Sequence, residues 1–160
     1  GDYQLSAQDQ DAFQSLLTSC CIDLGKQIAR DGEGAKKLIE ISVTGAASRK
    51  DARLIAKSVV DSPLVKTAIA GEDPNWGRVV MAIGKVSDAK LNPNKVSFSF
   101  GNKLIFKDGE PVPHTREEFL SILESDTVSI YIDLGLGTGR ATAWGCDLTH
   151  GYIDINTAYN

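Results

Sequence analysis

The chain is 160 residues long, 42% hydrophobic and 24% charged, with a formal net charge of −4. That much apolar material is enough for one compact domain or two small lobes. Positive and negative residues are interspersed, which argues against a nucleic-acid partner, and no apolar run approaches the roughly 20 residues of a membrane span. The opening residues, GDYQLSAQDQ, lack the basic and apolar regions of a signal peptide.

The cysteines are Cys20, Cys21 and Cys146. An odd number of cysteines without a CxxC pair, beside only two histidines, argues against a zinc site or any other metal centre. We interpret all three as reduced thiols, which predicts a cytosolic or organelle-matrix protein. Cys20 is interpreted as a small buried hydrophobe rather than as a nucleophile.

The first predicted element is a long helix that has Ser6 as its N-cap and ends near Arg30. Its apolar residues recur at helical spacing and predict a buried stripe of Phe13, Leu16, Leu17, Cys20, Leu24 and Ile28. The following KKLIEISVTGA alternates in polarity and predicts a strand that ends at Gly45. SRKD, which begins at Ser48, resembles a capping box and opens a helix that runs to about Asp61. Pro63 breaks helical pairing, and LVKTAIA then predicts a short buried strand, with a helix as the alternative.

The stretch GEDPNWGRVV has an unusual density of special residues. Asp73 is placed to cap a third helix, and Pro74 suits its first turn. Asn75, Gly77 and Arg78 are not explained by the needs of a helix start. A glycine inside the first turns costs about 1 kcal/mol relative to alanine, so Gly77 indicates a close approach to the backbone.

Strands dominate the predicted second half. KVSFSF predicts one strand, and GNKLIFKDGEPVP predicts a second strand followed by a turn rich in glycine and proline. Thr115 begins a capping box that opens the helix REEFLSILES. TVSIYIDLGLG, RATAWGCDLT and YIDIN predict three more strands. GLGTGR carries three glycines, but it joins two predicted strands and offers no helix N-terminus for a phosphate, so it predicts a hairpin. The mixture of helices and strands predicts an α/β or α+β fold.

Glu33 is the acidic residue that stands out, because it lies between two glycines where the first helix gives way to a strand. The backbone can approach a ligand closely there, and the carboxylate can hold a substrate amine. The alternative is a solvated loop acid. No GxSxG, HExxH or Walker motif is present, so spacing alone predicts no complete catalytic set.

Three long segments occur in order over nearly the whole chain: RDGEGAKKLIEISVTGA, SPLVKTAIAGEDPNWGRVVMAIGK and TAWGCDLTHGYIDIN. Together they resemble the C-terminal part of the β chain in the ornithine acetyltransferase family, the glutamate N-acetyltransferases of arginine biosynthesis. The resemblance implies a partial αββα-type sandwich. Residues 1–70 would be the helix–strand–helix part of the β-chain core, and residues 71–160 a small C-terminal mixed α+β lobe.

The resemblance also implies a reaction. A precursor of this family cuts itself before a threonine, which becomes the N-terminal nucleophile of the β chain with its own α-amino group as base. Acetyl passes from N-acetylornithine to that threonine, releasing ornithine, and then to glutamate. Bifunctional members also accept acetyl-CoA. The oxyanion donors lie on the α chain, and neither a metal nor a tightly held organic cofactor is needed.

The threonine and the segment expected to follow it have no counterpart in this sequence, which opens GDYQLSAQ. The resemblance therefore implies that these 160 residues contain no catalytic residue and are inactive alone. The expected partners are the α chain and the N-terminal part of the β chain of the same precursor, in a hetero-oligomer. The implied location is the cytoplasm, or the mitochondrial matrix in a eukaryote.

Two substrate contacts carry over from the family. Glu33 matches the acid of DGEGA, which is implied to hold the ornithine amine, and Asn156 in IDINTAY matches an asparagine that contacts substrate. The next contact of the family, a serine or threonine at the extreme C-terminus, has no counterpart here. Asp73, Asn75 and Arg78 belong to EDPNWGR, and we interpret them as scaffolding residues that pin the loop by hydrogen bonds.

Two other functions are compatible with these residues. An amidase or aminopeptidase-like relative on the same scaffold would transfer the acyl group to water rather than to an amine. A non-catalytic fragment or interaction domain is the second alternative. It would be favoured by a large separation between Glu33 and Asn156.

Overall fold

The computed structural model describes residues 6–158, which form a mixed α/β fold as predicted. In chain order its elements are α1 (Ala7–Arg30), β1 (Leu38–Ala46), α2 (Arg49–Val60), α3 (Pro63–Ala70), α4 (Trp76–Gly84), β2 (Ser97–Phe100), β3 (Lys103–Lys107), β4 (Glu110–Pro111), α5 (Leu120–Leu123), β5 (Thr127–Asp133), β6 (Gly139–Cys146) and α6 (His150–Thr157). The helix predicted over REEFLSILES is confirmed only in part, since a 3-10 turn at Glu117–Phe119 precedes the short α5.

The strands form one six-stranded sheet in the order β4-β3-β2-β5-β1-β6. β1 pairs in parallel with β5 and antiparallel with β6, and the other neighbouring strands are antiparallel. The sheet joins segments from both sides of residue 70, because β1 lies between two strands of the second half. The division into residues 1–70 and 71–160 falls between α3 and α4, and it stays a prediction.

The hydrophobic core lies between one face of the sheet and α2. In β1, Ile39, Ile41 and Val43 are buried, whereas Glu40 and Ser42 on the other face are partly exposed, as the alternation predicts. The core also contains aliphatic and aromatic side chains of other elements, among them Ile55, Val59, Ile83, Phe98, Phe100, Val128, Ile130 and Ile132. Burying a side chain of this size contributes about 1.5–3 kcal/mol, so this face holds the strands in register.

α1 has the predicted ends, but its predicted burial is wrong. Ser6 accepts a hydrogen bond from the Asp9 amide at 3.1 Å, and the helix ends at Arg30. None of its residues is buried, and the apolar stripe is open: Phe13 61%, Leu16 71%, Leu17 52%, Leu24 53% and Ile28 78% exposed, with Cys20 exposed as well. Helical spacing identifies the apolar face of a helix, but it does not show which segment packs against that face.

Two segments predicted as strands are helices. PLVKTAIA forms α3, because Ser62 accepts a hydrogen bond from the Val65 amide and Pro63 occupies the first helical position, where a missing N–H costs nothing. YIDIN lies within α6, whose N-cap is Thr149. The prediction followed the alternation of Ile153 and Ile155, but both side chains are exposed and pair with no sheet face.

GLGTGR is not a hairpin, because β1 lies between β5 and β6. The loop instead crosses the end of β1, where the amides of Leu136 and Gly137 donate to the Gly45 carbonyl at 2.7 and 2.9 Å. Gly45 has a positive φ of 67° at this bend. Strands that follow one another in sequence are often neighbours in the sheet, but here β1, from earlier in the chain, lies between β5 and β6.

Candidate substrate-binding site

The structure brings Glu33 and Asn156 together. Asn156 Nδ2 donates to Glu33 Oε2 at 2.6 Å across 123 residues of sequence, and the same amide nitrogen lies 2.8 Å from the Tyr152 carbonyl. Both side chains are exposed, and among residues 6–158 the hydrogen bond from Asn156 reaches only Oε2 of Glu33, which leaves Oε1 to meet a ligand. A carboxylate fixed by an amide donor is suited to binding a cationic amine through a charge-assisted hydrogen bond.

Gly34 sets how closely the two segments approach. It has a positive φ of 70°, and a Cβ built there would lie 2.5 Å from the Tyr152 amide nitrogen and 2.9 Å from Gly151 Cα. These neighbours are backbone atoms at the start of α6, so they cannot rotate away as a side chain can. The turn that carries Glu33 therefore contacts the helix that carries Asn156 directly, backbone against backbone.

A groove of about 1100 Å³ opens beside this contact, between the end of α3 and the start of α6. We call it the α3–α6 groove; it is lined by Gly34, Ala35, Lys36, Thr67, Ala70, Gly71 and residues 148–154. Its lining includes the neighbour of Glu33 in sequence and Tyr152, whose carbonyl accepts from Asn156. The groove is large enough for an amino-acid derivative; most of its lining surface is apolar, and Lys36, His150 and Asp154 add charged or polar groups.

EDPNWGR is joined to one wall of the groove by hydrogen bonds. The start of α4 differs from the prediction, because its N-cap is Asn75, which accepts from the Arg78 amide at 3.2 Å, while Asp73 accepts from Asn75 Nδ2 at 3.0 Å. Arg78 donates from one guanidinium nitrogen to the Leu64 carbonyl at 2.8 Å and to Thr67 Oγ1 at 3.1 Å. Thr67 lines the groove, so these bonds connect the loop to the groove wall.

The crowding that Gly77 predicts is not found. A Cβ at this position would meet only the Asn75 side-chain oxygen, at 3.5 Å, which is ordinary van der Waals contact. The prediction was wrong because the cost of a glycine in a helix does not show that its site is crowded. Within residues 6–158 the structure offers no packing reason for this glycine.

An ion pair joins the turn of Glu33 to the same loop. Lys37 Nζ donates to Glu72 Oε1 at 2.9 Å and to the Leu123 carbonyl at 2.6 Å. The hydrogen bond and the positive charge of Lys37 lower the pKa of the Glu72 carboxyl. Arg116 donates to the carbonyls of Gly71 and Glu72, which holds the loop from its other side.

Asp147 and Thr149 are two site-forming residues that the sequence did not single out. Asp147 is only 3% exposed and accepts hydrogen bonds from the turn of Glu33, and Thr149 donates to Gly34 in that turn. A threonine before a short helix is a recognisable N-cap signal, and it was missed because α6 was interpreted as a strand. Nothing in the sequence pairs Asp147 with a turn 110 residues away.

The described part of the chain shows neither a metal centre nor a membrane helix. Among residues 6–158, no group of three or more His, Cys, Asp or Glu side chains is placed to hold a metal ion. None of the helices in that range has both the length and the apolar character needed to cross a bilayer.

Comparison with known proteins gives consistent matches. The ArgJ family model matches residues 2–160. The arginine biosynthesis bifunctional protein ArgJ of Geobacillus kaustophilus is 50% identical over 94% of this chain, and the protein of the same name from Ruegeria pomeroyi is 50% identical over 97%. The chain spans 37% and 38% of the lengths of these two relatives.

A solved structure agrees with the fold. The crystal structure of arginine biosynthesis bifunctional protein ArgJ from Bacillus halodurans superimposes with a TM-score of 0.93 at 45% identity, covering 99% of this chain and 75% of that one. The family model therefore extends over nearly every residue, and the fold agrees with that of a solved relative. On this evidence, the chain belongs to the ArgJ family.

Proposed function

We propose that this chain is the C-terminal β-chain portion of an ornithine acetyltransferase that moves acetyl from N-acetylornithine to glutamate. The contact between Asn156 and Glu33, at 2.6 Å, is the observation that carries the proposal. The free amino group of N2-acetylornithine is on its side chain, because acetylation blocks the α-amine. A fixed carboxylate is the chemistry that recognises such an ammonium group.

The acetyl group would travel through a threonine hydroxyl that lies outside these 160 residues. In the first half-reaction the threonine oxygen attacks the acetyl carbonyl, an ester forms, the amide C–N bond breaks, and ornithine leaves with a proton on its α-amine. In the second, the glutamate amine attacks the ester and restores the hydroxyl. We assign Glu33 and Asn156 to substrate binding, and this part of the proposal needs neither a metal nor an organic cofactor. Acetyl-CoA would serve as a further donor in a bifunctional enzyme.

The proposed partners are the α chain and the N-terminal part of the β chain of the same precursor, assembled as a hetero-oligomer. Support comes from α1, which presents five apolar side chains that are each more than half exposed: Phe13, Leu16, Leu17, Leu24 and Ile28. A contiguous apolar face of this kind typically marks an interface. The three cysteines are free thiols, which supports a reducing compartment such as the cytoplasm or, in a eukaryote, the mitochondrial matrix.

The proposal is tested with Glu33→Gln in the full-length protein. Glutamine keeps an oxygen that accepts from Asn156 but loses the negative charge. We expect the KM for N-acetylornithine to rise about 10- to 100-fold, the range for losing a hydrogen bond to a charged group, with an unchanged melting temperature. An unchanged KM would refute the proposed role. Ornithine release that continues without glutamate would indicate a hydrolase instead of a transferase.

A further inference from the structure

The two proposed binding residues lie on separate segments, and no helix or strand contains both of them. Glu33 lies in the turn of residues 31–37, between α1 and β1, and Asn156 lies in the last turn of α6. Their direct contact joins two exposed side chains at 2.6 Å. Exposed side-chain pairs are individually weak, so something else has to set the distance between the segments.

A clamp of partly buried hydrogen bonds joins the same two segments just beside this contact. Asp147 Oδ1 accepts hydrogen bonds from the amides of Lys36 at 2.8 Å and Lys37 at 2.9 Å, and the Asp147 amide donates to the Lys37 carbonyl at 3.1 Å. Thr149 Oγ1 donates to the Gly34 carbonyl at 2.6 Å. All four bonds run between the turn that carries Glu33 and the residues immediately before α6.

Thr149 has a second bond that ties the clamp to the helix itself. Its hydroxyl oxygen accepts from the Gly151 amide at 3.1 Å, which makes Thr149 the N-cap of α6. One hydroxyl therefore holds the start of the Asn156 helix and the carbonyl next to Glu33 at the same time. Asp147 is only 3% exposed, so the acceptor end of its bonds to the turn is shielded from water, which makes these bonds stronger than bonds to a fully exposed carboxylate would be.

We propose that Asp147 and Thr149 are positioning residues, which set the separation of Glu33 and Asn156 and thereby the affinity for the substrate ammonium group. This inference rests on the proposed function. Neither residue is assigned a contact with substrate; both act through Glu33 and Asn156. Because the ammonium group is bound in the same way before and during acetyl transfer, loosening the clamp raises KM and leaves kcat nearly unchanged.

The test uses Thr149→Val in the full-length protein, because valine keeps the shape and removes the hydroxyl. We expect the KM for N-acetylornithine to rise about fivefold, the change expected for one ordinary hydrogen bond, with kcat within about twofold. Thr149→Ser restores the hydroxyl and should restore KM. Thr149→Ala is the second variant if valine disturbs packing.

The matched control is Thr157→Val, which makes the same chemical change in the same helix. Thr157 Oγ1 donates to the Ile153 carbonyl at 2.9 Å and lies 3.3 Å from the Asp154 carbonyl, and both of these acceptors belong to α6. This variant should leave KM unchanged although it also removes a helix hydrogen bond. A KM that rises equally in both variants would show that loosening the helix, not the clamp, is responsible, and would overturn the inference.

A double-mutant cycle separates this inference from the proposal on which it rests. In a Glu33→Gln background, Thr149→Val should raise KM no further, because the residue it positions no longer carries the charge. If Glu33→Gln raises KM but Thr149→Val does not, or if the valine effect persists in full without the Glu33 charge, the positioning role is wrong and the proposed function stands. If Glu33→Gln itself leaves KM unchanged, the proposed function fails and the positioning role fails with it.

Discussion

Gly34→Ala is the substitution that most directly perturbs the contact between the Glu33 turn and α6. Gly34 has a φ of 70°, a region that costs an alanine about 1–2 kcal/mol. Its new Cβ would lie 2.5 Å from the Tyr152 amide nitrogen and 2.9 Å from Gly151 Cα. Because these are backbone atoms, the two segments have to separate by roughly 1 Å to reach normal contact distances.

The expected loss of stability follows from adding the two costs. Forcing extra atoms into a packed contact typically costs about 1–3 kcal/mol, which with the backbone term gives about 2–5 kcal/mol for Gly34→Ala. The separation also stretches the bond between Thr149 Oγ1 and the Gly34 carbonyl, now 2.6 Å. We therefore expect a higher KM for N-acetylornithine in addition to the lower stability.

Urea unfolding of the full-length protein measures the stability change, and Gly84→Ala is the control. Gly84 is the exposed last residue of α4, where an added Cβ meets no atom within 4 Å among the described residues. Alanine there should be neutral or stabilising by up to about 1 kcal/mol. If Gly34→Ala unfolds at the same urea concentration as Gly84→Ala, the close backbone contact is not what the structure indicates, and the reasoning is refuted.

Two further predictions concern the sheet. Burial raises the pKa of Glu40, but the hydrogen bond from the Trp144 indole and the hydrogen bond and charge of Lys26 outweigh it, so the pKa is lowered overall from 4.5. The ionised Glu40 therefore stabilises the folded state above pH 4.5, and this stabilisation is lost as the pH falls through the lowered pKa of the folded state. Below pH 4.5 the free energy of unfolding should fall less steeply in Glu40→Gln than in the wild type, and an identical slope would contradict this. Ile41 is fully buried, so Ile41→Val should lower the free energy of unfolding by about 0.5–1.5 kcal/mol and Ile41→Ala by about 2–5 kcal/mol, as measured by urea unfolding. A loss of less than about 1 kcal/mol in Ile41→Ala would contradict the place of Ile41 in the core.

Local physical rules predicted much of the secondary structure. Alternating polarity located β1 and β5, and the serines at positions 6 and 48 located two helix starts, because both signals depend on neighbours in sequence. The same rules failed at α6, where Ile153 and Ile155 alternate but meet no sheet. They also failed at GLGTGR, because the insertion of β1 between β5 and β6 is decided by long-range packing.

The sequence predicted only those site residues that lie in a recognisable motif. The two flanking glycines and the family resemblance identify Glu33, and the resemblance alone identifies Asn156; neither signal indicates that the two side chains are in contact. Asp147 was not found, because a buried acid that binds backbone amides 110 and 111 residues away has no local sequence pattern. In α1 the error is the opposite one: the apolar pattern predicts a buried stripe, but none of the described residues covers it.

The most direct test of the central claim is a comparison of two substrates in the wild-type full-length protein and in Glu33→Gln. N-acetylnorvaline has the shape of N-acetylornithine without the side-chain amino group, and mass spectrometry of the released amino acid gives kcat/KM for each. We predict that the wild type prefers N-acetylornithine by about 10- to 100-fold, and that this preference falls to near unity in Glu33→Gln. An equal preference in the two proteins would contradict the claim that Glu33 recognises the substrate ammonium group.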